Sequence, residues 1–203
     1  MEKKKIRQPS QKSGPLCDVY ALLHDLVYIL AGITLFFVFV IRLVGVSGPS
    51  MKPTLQNGDY VALLSNFLMG DLKQGDIIVA RKQTFENGEP IVKRVIATEG
   101  QTIDLRYDAN GFCTVYVDNE PLREEYINEP MLEAGYSMLN FPLKVEKDCV
   151  FVMGDNRNHS ADSRYTRIGQ IEKSQVLGKV LLVLFPGKDE NETRDFSRIG
   201  GVS

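Results

Sequence analysis

The sequence predicts a mainly β domain of antiparallel strands, preceded by one transmembrane helix near the amino terminus. An uncharged apolar run occupies residues 26–41, and from residue 59 onward short runs rich in valine and isoleucine alternate with turn-forming pieces. With 203 residues, of which 43% are apolar, the chain is long enough for one globular domain with a substantial core.

The apolar run predicts a helix that crosses a membrane once. Extended from Leu26 to Val46, the segment would measure about 31 Å as a helix, close to the thickness of the hydrocarbon core. Arg42 lies near its end, where a long side chain can reach the lipid headgroups. Two other interpretations stay open: a buried core helix, and a cleavable signal peptide that uses the small residues Gly45 and Ser47.

Charge is distributed unevenly along a chain with 24 basic and 26 acidic residues. Residues 1–17 carry five of the basic residues and a single acidic one. Because basic flanking segments stay in the cytoplasm, we expect residues 1–25 to form a basic cytoplasmic arm and the rest to lie outside the plasma membrane, anchored by residues 26–46. The β domain is then expected over 47–187, followed by a polar and loosely held tail over 188–203.

Apolar runs after residue 59 predict the strands of this domain. They are separated by turn-prone sequences such as Asn57-Gly58-Asp59, a pattern typical of antiparallel sheets. The stretch Val61–Met69 would either contact lipid headgroups or belong to the ordinary core. The predicted strands are Tyr60–Leu64, Asp76–Arg81, Ile91–Ala97, Thr114–Val117, Cys149–Met153 and Val176–Phe185.

Composition argues against several kinds of protein. The net charge is −2 and no basic run is interleaved with aromatic residues, so nucleic acid is not an expected partner. Three irregularly spaced cysteines, Cys17, Cys113 and Cys149, match neither a disulfide scaffold nor a Cys-x-x-Cys zinc site, so no metal is predicted. Whether Cys113 and Cys149 pair, and whether the protein forms oligomers, is left open.

Ser50 is the candidate nucleophile. Prolines on both sides restrict the backbone and Gly48 permits a tight turn, so the Ser50 hydroxyl can be presented rigidly. Serines beside prolines are often only turn residues, so the local sequence does not by itself identify a catalyst. The position of Ser50, a few residues beyond the predicted membrane helix, favours a role at the membrane surface.

A serine hydroxyl needs a neighbouring base, for which the chain offers few candidates. His24 precedes the membrane helix and cannot reach Ser50, whereas His159 remains a candidate. Lys93 is the alternative, because strand alternation places it on an otherwise apolar face where burial lowers the pKa of an amine. Arg94 then points to the opposite face and suits an ion pair. Lys93 could also simply cover apolar surface with its stem while the ammonium reaches water.

The polar segment Gly154–Arg164 predicts a hydrogen-bonded loop. It can supply a hydroxyl that orients a lysine amine, and carboxylates that pair with arginines. A calcium loop is a rival interpretation, but Arg157 and His159 stand where oxygen ligands would be required.

These three segments, in this order behind an amino-terminal membrane helix, resemble the type I signal peptidases. The resemblance covers the chain from about residue 25 to 185 and rests on S-M-x-P-T-L and GDNRNHSADSR. It implies a membrane-bound serine endopeptidase that needs no cofactor and removes signal peptides from secretory precursors after small residues. Ser50 would be the nucleophile and Lys93 the general base. Ser160 would orient the lysine amine, while Asp155, Asp162, Arg94 and Arg164 would hold the loop and strand by ion pairs.

Two positions depart from the pattern of that family. Some members carry a hydroxyl two residues before the nucleophile, where this chain has Gly48, so main-chain donors such as the Ser50 N–H would stabilise more of the oxyanion. The family's Gly-Leu-Pro-Gly-Asp turn is replaced by Ala97–Gln101. Two other functions stay open: a different Ser/Lys hydrolase, such as a self-cleaving repressor, and a non-catalytic membrane-anchored binding module.

Overall fold

The computed structural model describes residues 14–85, 88–132, 138–189 and 192–202. The chain divides into two units, one that ends at Val38 and one that begins at Phe39. Residues 1–13, half of the predicted basic arm, lie outside the described residues. The predicted fold class is confirmed: one long apolar helix comes first, and every pairing between strands is antiparallel.

The first unit is formed by one long apolar helix, α1 (Pro15–Phe39). Within it, residues Asp18–Phe39 are long and apolar enough to cross a membrane, and none of this window is buried inside the protein. Lipid is the medium in which such an exposed apolar surface is stable. The polar Thr34 fits this surrounding because its hydroxyl donates to the Leu30 carbonyl at 2.8 Å.

The helix lies earlier in the chain than the predicted span, Leu26–Val46. It ends at Phe39, and Ile41–Gly45 forms strand β1. Strand β1 pairs along its whole length with β2 (Tyr60–Ser65). Hydropathy does not separate an apolar helix from an apolar strand that follows it, and here the partner strand determines the change because it supplies the backbone hydrogen bonds.

The second unit contains two antiparallel sheets. Its further strands are β3 (Ile77–Arg81), β4 (Pro90–Thr98), β5 (Thr102–Tyr107), β6 (Phe112–Val117), β7 (Glu120–Pro121), β8 (Met131–Leu132), β9 (Leu143–Lys144), β10 (Cys149–Met153), β11 (Ile171–Glu172), β12 (Val176–Phe185) and β13 (Gly200–Gly201). The first sheet has the order β1-β2-β12-β3-β4-β10-β11, with β13 also paired to β12. The second sheet has the order β7-β6-β5-β9, with β8 also paired to β6.

All six predicted strands are present, as β2, β3, β4, β6, β10 and β12. Strand β5 was not predicted, because its polar residues Asp104 and Arg106 alternate with the buried Ile103 and Leu105 and dilute the apolar signal. The remaining unpredicted strands, apart from β1, have only two residues each and exist through their partners.

Two clusters of buried side chains position the parts of the second unit. Ile103 and Val115 of the second sheet pack with Phe151 of the first sheet, so this core joins the two sheets. Met51 and Leu55, which follow Ser50, pack into a separate cluster beneath the first sheet. Burial of these two large side chains fixes the segment that carries Ser50 to the sheet.

The carboxyl-terminal tail is docked, which corrects the prediction of a loosely held segment over 188–203. Phe196–Arg198 forms a 3-10 helix, and β13 pairs with β12. Arg198 also forms an ion pair with the buried Asp59. These contacts could not be predicted from the polar composition of the tail, because its partners are remote in the sequence.

The stretch Val61–Met69 divides between core and surface. Val61 and Leu63 are buried in β2, which favours the core interpretation for the first part of the stretch. Phe67, by contrast, is 91% exposed.

Cys113 and Cys149 are both buried and both free, so the structure contains no disulfide between them. Burial raises the pKa of the Cys113 thiol to about 11 and also raises the pKa of Cys149. Both therefore act as small apolar side chains in the core between the sheets.

Candidate active site

Residues 46–59 connect β1 to β2, and residues 47–59 of this connection are called the Ser50 loop. The turn around Ser50 is closed by hydrogen bonds from the Lys52 N–H to the Pro49 carbonyl at 3.0 Å and from the Leu55 N–H to the Met51 carbonyl at 2.9 Å. Gly48 has a φ of +87°, a conformation that favours glycine. The local sequence and the burial of Met51 and Leu55 thus hold the Ser50 backbone in one position.

Lys93 of β4 reaches the Ser50 hydroxyl. Its Nζ lies 2.8 Å from Ser50 Oγ and 2.8 Å from the Val92 carbonyl oxygen. Lys93 is only 4% exposed, whereas Ser50 is partly open to solvent. The arrangement places an amine that water hardly reaches in direct contact with an alcohol that a substrate can approach.

The loop 154–164, which follows β10, is fastened to the Ser50 loop. The Asn156 N–H donates to the Ser50 carbonyl at 3.0 Å, and its side-chain amide donates to the Pro49 carbonyl at 3.2 Å. Gly154 makes this approach possible, because a Cβ there would overlap with both the Ser50 carbonyl oxygen and Ser160 Oγ. Neither Asn156 nor Gly154 was assigned a role from the sequence, although both belong to the segment that carries the resemblance.

Arg94, which follows Lys93 in β4, forms a buried two-bond ion pair with Asp155. Nε donates to Oδ1 and Nη2 to Oδ2, each at 2.8 Å, and both side chains are at most 2% exposed. Asp155 Oδ2 also accepts the Thr54 hydroxyl at 2.5 Å. The pair therefore joins the strand of Lys93, the loop after β10 and the Ser50 loop at one point.

Asp162 and Arg164 form a second buried pair in the same loop. Arg164 donates to both carboxylate oxygens, at 2.8 and 2.9 Å, and the Gly154 N–H donates to Asp162 Oδ2 at 3.0 Å. Burial alone would raise the pKa of Asp162, but the charge and hydrogen bonds of Arg164 outweigh it and hold this pKa below its usual value. Asp162 thus stays ionised and fixes Gly154 beside Ser50.

Ser160 is not hydrogen-bonded to Lys93 in this structure. Its hydroxyl is buried and makes no hydrogen bond of normal geometry among the described residues, although its interaction with Asp162 helps to lower the pKa of that carboxyl. The implied role of Ser160 in orienting the amine therefore stays a prediction. The other candidate base, His159, is exposed, and no hydrogen bond joins its ring to Ser50 within the described ranges.

An aromatic contact supports the buried arginines and was missed from the sequence. The Arg94 guanidinium lies over the Tyr126 ring, 4.0 Å from its centroid. Arg157 is 5.8 Å from the same ring, and its Nε donates to the Gly154 carbonyl at 3.0 Å. Since Tyr126 lies in an irregular connection between strands, no periodic pattern pointed to it.

Ser50 and Lys93 line a cleft of about 460 Å³. One wall is formed by residues 44–48, which include the end of β1, the terminal strand of the first sheet. Residues 89–93 also line the cleft. Among the described strands only β3 pairs with this part of β4, because β10 begins its pairing at Arg94. Both segments thus contribute a strand edge without a partner on one side, and an extended chain can pair with such an edge.

In the described ranges, no three His, Cys, Asp or Glu side chains are grouped as metal ligands. The buried carboxylates near Ser50 are instead engaged by arginines.

Comparisons with known proteins agree with the sequence resemblance. A family model described as "Signal peptidase, peptidase S26" matches residues 20–185. Signal peptidase I P of Bacillus subtilis subsp. natto is 39% identical over 148 residues, which cover 70% of this chain and 75% of that protein. Signal peptidase I T of Bacillus subtilis (strain 168) is 35% identical over 156 residues, which cover 73% and 76%.

Among solved structures, the crystal structure of a signal peptidase I from Enterococcus faecalis V583 resembles this chain with a TM-score of 0.43 and 28% identity. The match covers 55% of this chain and 97% of that one. The family model spans most of the chain, and the two relatives from Bacillus subtilis are more than 30% identical to it over more than two thirds of its length. This chain therefore belongs to the signal peptidase family, peptidase S26.

Proposed function

We propose that this protein is a membrane-bound serine endopeptidase that removes amino-terminal signal peptides from secretory precursors. Ser50 acts as the nucleophile and Lys93 as the general base. The observation that carries the proposal is the 2.8 Å contact between Lys93 Nζ and Ser50 Oγ, two side chains that line one cleft.

The proposed reaction is acyl transfer in two stages. Ser50 Oγ attacks the carbonyl carbon of the scissile bond while Lys93 Nζ takes the hydroxyl proton. As the carbon–nitrogen bond breaks, the lysine ammonium returns this proton to the leaving amine of the mature protein. The signal peptide is left as an ester on Ser50. A water molecule that Lys93 deprotonates then attacks the ester. The bond to Ser50 Oγ breaks, the lysine ammonium returns the proton to Ser50 Oγ, and the signal peptide leaves with a free carboxylate.

The mechanism requires a neutral amine at Lys93. Because its side chain is almost completely buried, the cost of desolvating an ammonium ion favours the neutral form and is expected to lower the pKa of Lys93. Met51 and Ile91 contribute apolar surface to the cleft that Lys93 lines. Activity should accordingly fall as the pH is lowered, because a protonated Lys93 cannot accept the Ser50 proton.

Main-chain groups are proposed to stabilise the oxyanion. Gly48 has no side chain to offer, and its N–H donates to Asn57 Oδ1 at 3.0 Å. The Ser50 N–H has no acceptor among the described residues, so it is available to donate to the developing charge.

The cleft also supports the proposed preference for small residues near the cut. A precursor that extends between residues 44–48 and 89–93 could hydrogen-bond to strand edges on both sides. Met51, Ile91 and Ala161 line the cleft near Ser50, and a large substrate side chain would meet them as a steric barrier.

The first unit is proposed to anchor the enzyme as a single membrane span. Helix α1 would cross the plasma membrane, with the basic residues before it in the cytoplasm and the β unit on the extracytoplasmic side. This orientation places the cleft on the side to which secretory precursors are delivered.

The proposal is tested with the full-length protein in detergent and a precursor peptide whose signal ends in Ala-x-Ala. Ser50→Ala and Lys93→Met should each lower kcat/KM by about a thousandfold or more. Ser174→Ala and Lys173→Met are matched controls, because both side chains are exposed or partly exposed and lie on a surface 3-10 helix. These controls should cleave normally.

Full cleavage by either Ser50→Ala or Lys93→Met would refute the assigned dyad. A wild-type protein that binds the precursor without cleaving it would instead favour the non-catalytic binding module.

A further inference from the structure

Arg198 contacts the Ser50 loop from the carboxyl-terminal tail, beyond the residues 20–185 that match the family model. Its Nη1 donates to Asp59 Oδ1 at 3.0 Å, and its Nη2 donates to Asp59 Oδ2 at 2.7 Å. Nη2 also lies 3.3 Å from the Thr54 carbonyl oxygen. One guanidinium therefore holds the loop at two points, four and nine residues after Ser50.

Asp59 is fully buried and organises the end of the Ser50 loop. Besides Arg198, it accepts hydrogen bonds from the Gln56 N–H and the Gly187 N–H, both at 2.7 Å. A buried carboxylate is stable when its charge is compensated and its oxygens accept hydrogen bonds. Arg198 provides the compensating charge, so the loop conformation around Asp59 depends on the tail.

A continuous set of contacts links this ion pair to the strand of the proposed base. The residue that Arg198 contacts, Thr54, donates its hydroxyl to Asp155 Oδ2 at 2.5 Å. Asp155 is in turn paired with Arg94, the neighbour of Lys93 in β4. Arg198 thus stabilises the loop segment through which the strand of Lys93 and the loop of Ser50 are kept in register.

We infer that Arg198 is a positioning residue for the reaction: it holds the Ser50 loop in the conformation in which Ser50 Oγ meets Lys93 Nζ. The inference rests on the proposed function, since it assigns the loop a catalytic role. Small displacements of a nucleophile cost catalytic rate much more than substrate affinity, so the effect should be on kcat.

The experiment compares two arginines of the same tail in the full-length protein. Arg194 is the matched control, because its contacts among the described residues are with the Pro186 carbonyl and the Phe185 ring, 4.5 Å away, and not with a residue of the Ser50 loop itself. Arg198→Ala should lower kcat for the precursor peptide by about tenfold or more with KM changed by less than about twofold, whereas Arg194→Ala should leave kcat within about twofold. Arg198→Lys should recover part of the loss, because it restores the charge beside Asp59 but not the two-pronged contact.

Several results would overturn the inference. These are a wild-type kcat in Arg198→Ala, an equal loss in Arg194→Ala, or no recovery in Arg198→Lys.

Thermal melting measures the folded fraction of each variant. If Arg198→Ala does not fold, Arg198→Lys decides the matter: a kcat about threefold below wild type supports the inference, and a wild-type kcat refutes it. A wild-type protein that cleaves no precursor would refute the proposed function itself, whereas cleavage by wild type and Arg198→Ala alike would refute only the role of Arg198.

Discussion

Charged side chains are buried around Ser50 and Lys93, whereas in the second sheet they lie at or near the surface. Arg94, Asp155, Asp162 and Arg164 are each at most 1% exposed. In the second sheet, the ion pair between Arg106 and Asp104 has side chains that are 44% and 24% exposed, and the interior is apolar.

This difference assigns different physical roles to the two regions. Burying ion pairs costs desolvation energy that their attraction only partly offsets, but the hydrogen bonds they require are directional and restrict geometry. Apolar burial is not directional and stabilises the fold without fixing individual atoms to the same degree. The buried ion pairs around Ser50 thus mainly fix the positions of side chains and loops, whereas the apolar core of the second sheet mainly stabilises the fold.

The largest expected effect comes from removing one half of a buried pair. Asp155→Ala leaves the Arg94 guanidinium buried without its carboxylate and should lower the free energy of unfolding by about 3–5 kcal/mol. Denaturant unfolding of the full-length protein in detergent, followed by circular dichroism, measures this change. Asp104→Ala is the matched control in the second sheet, and it should lower the free energy of unfolding by no more than about 1 kcal/mol, because the Arg106–Asp104 pair is partly exposed. An equal loss of unfolding free energy in the two variants would show that the two regions do not differ in this way.

A methyl group at Gly154 should mainly affect catalysis. The added Cβ of Gly154→Ala would overlap with the Ser50 carbonyl oxygen, so the Ser50 loop must shift, and kcat/KM should fall about a hundredfold. Gly111→Ala is the control in the second sheet: its φ of +82° makes the substitution strained, but nothing lies within 4 Å of the added atom. It should cost about 1 kcal/mol of stability and leave cleavage of the precursor peptide unchanged. Normal activity in Gly154→Ala would show that the close approach is not needed.

Acid should loosen the site before it loosens the second sheet. The pKa of Asp162 is lowered in the folded protein, so its contribution to stability is complete above the unfolded pKa of about 3.9 and is lost as the pH falls through the lower folded pKa. One such proton gives a slope of at most about 1.4 kcal/mol per pH unit. Hydrogen exchange should show the amides of loop 154–164 losing protection ahead of those of β5 and β6. In Asp162→Asn the acid slope should be shallower, and an unchanged slope would contradict the assignment.

The smallest effect is expected from trimming the apolar core of the second sheet. Ile103→Val removes one buried methylene and should lower the free energy of unfolding by about 1 kcal/mol. The kcat and KM for the precursor peptide should not change, because Ile103 packs between the sheets and does not line the cleft. A clear fall in kcat would show that the second sheet also contributes to positioning Ser50.

Much of the fold was accessible from the sequence because its longer elements bury apolar side chains in regular patterns. Strands β10 and β12 were predicted with their observed bounds for this reason. Strand β1 was assigned to the helix instead, since an apolar run reads alike in either state until its partner β2 is known. The two-residue strands carry no periodic signal of their own.

The candidate site divides in the same way. Ser50, Lys93 and the polar loop Gly154–Arg164 could be selected from residue chemistry and family resemblance. The individual roles of Thr54, Tyr126 and, within that loop, Asn156 could not be predicted, because each acts through a contact with a residue far away in the chain. No local pattern distinguishes such a side chain from an ordinary loop residue.

By itself, the sequence determined that an apolar helix precedes an antiparallel β unit, because local composition and periodicity are present in the chain before it folds. Its resemblance to a known family, and not its periodicity, selected Ser50 and Lys93 as candidates. Only the tertiary structure decided that the amine of Lys93 lies 2.8 Å from Ser50 Oγ, that Arg94 pairs with Asp155, and that the polar tail closes on Asp59. Those pairings join segments that are tens of residues or more apart in the sequence. The pKa and the hydrogen bonds of a buried group depend on the neighbours that folding places around it.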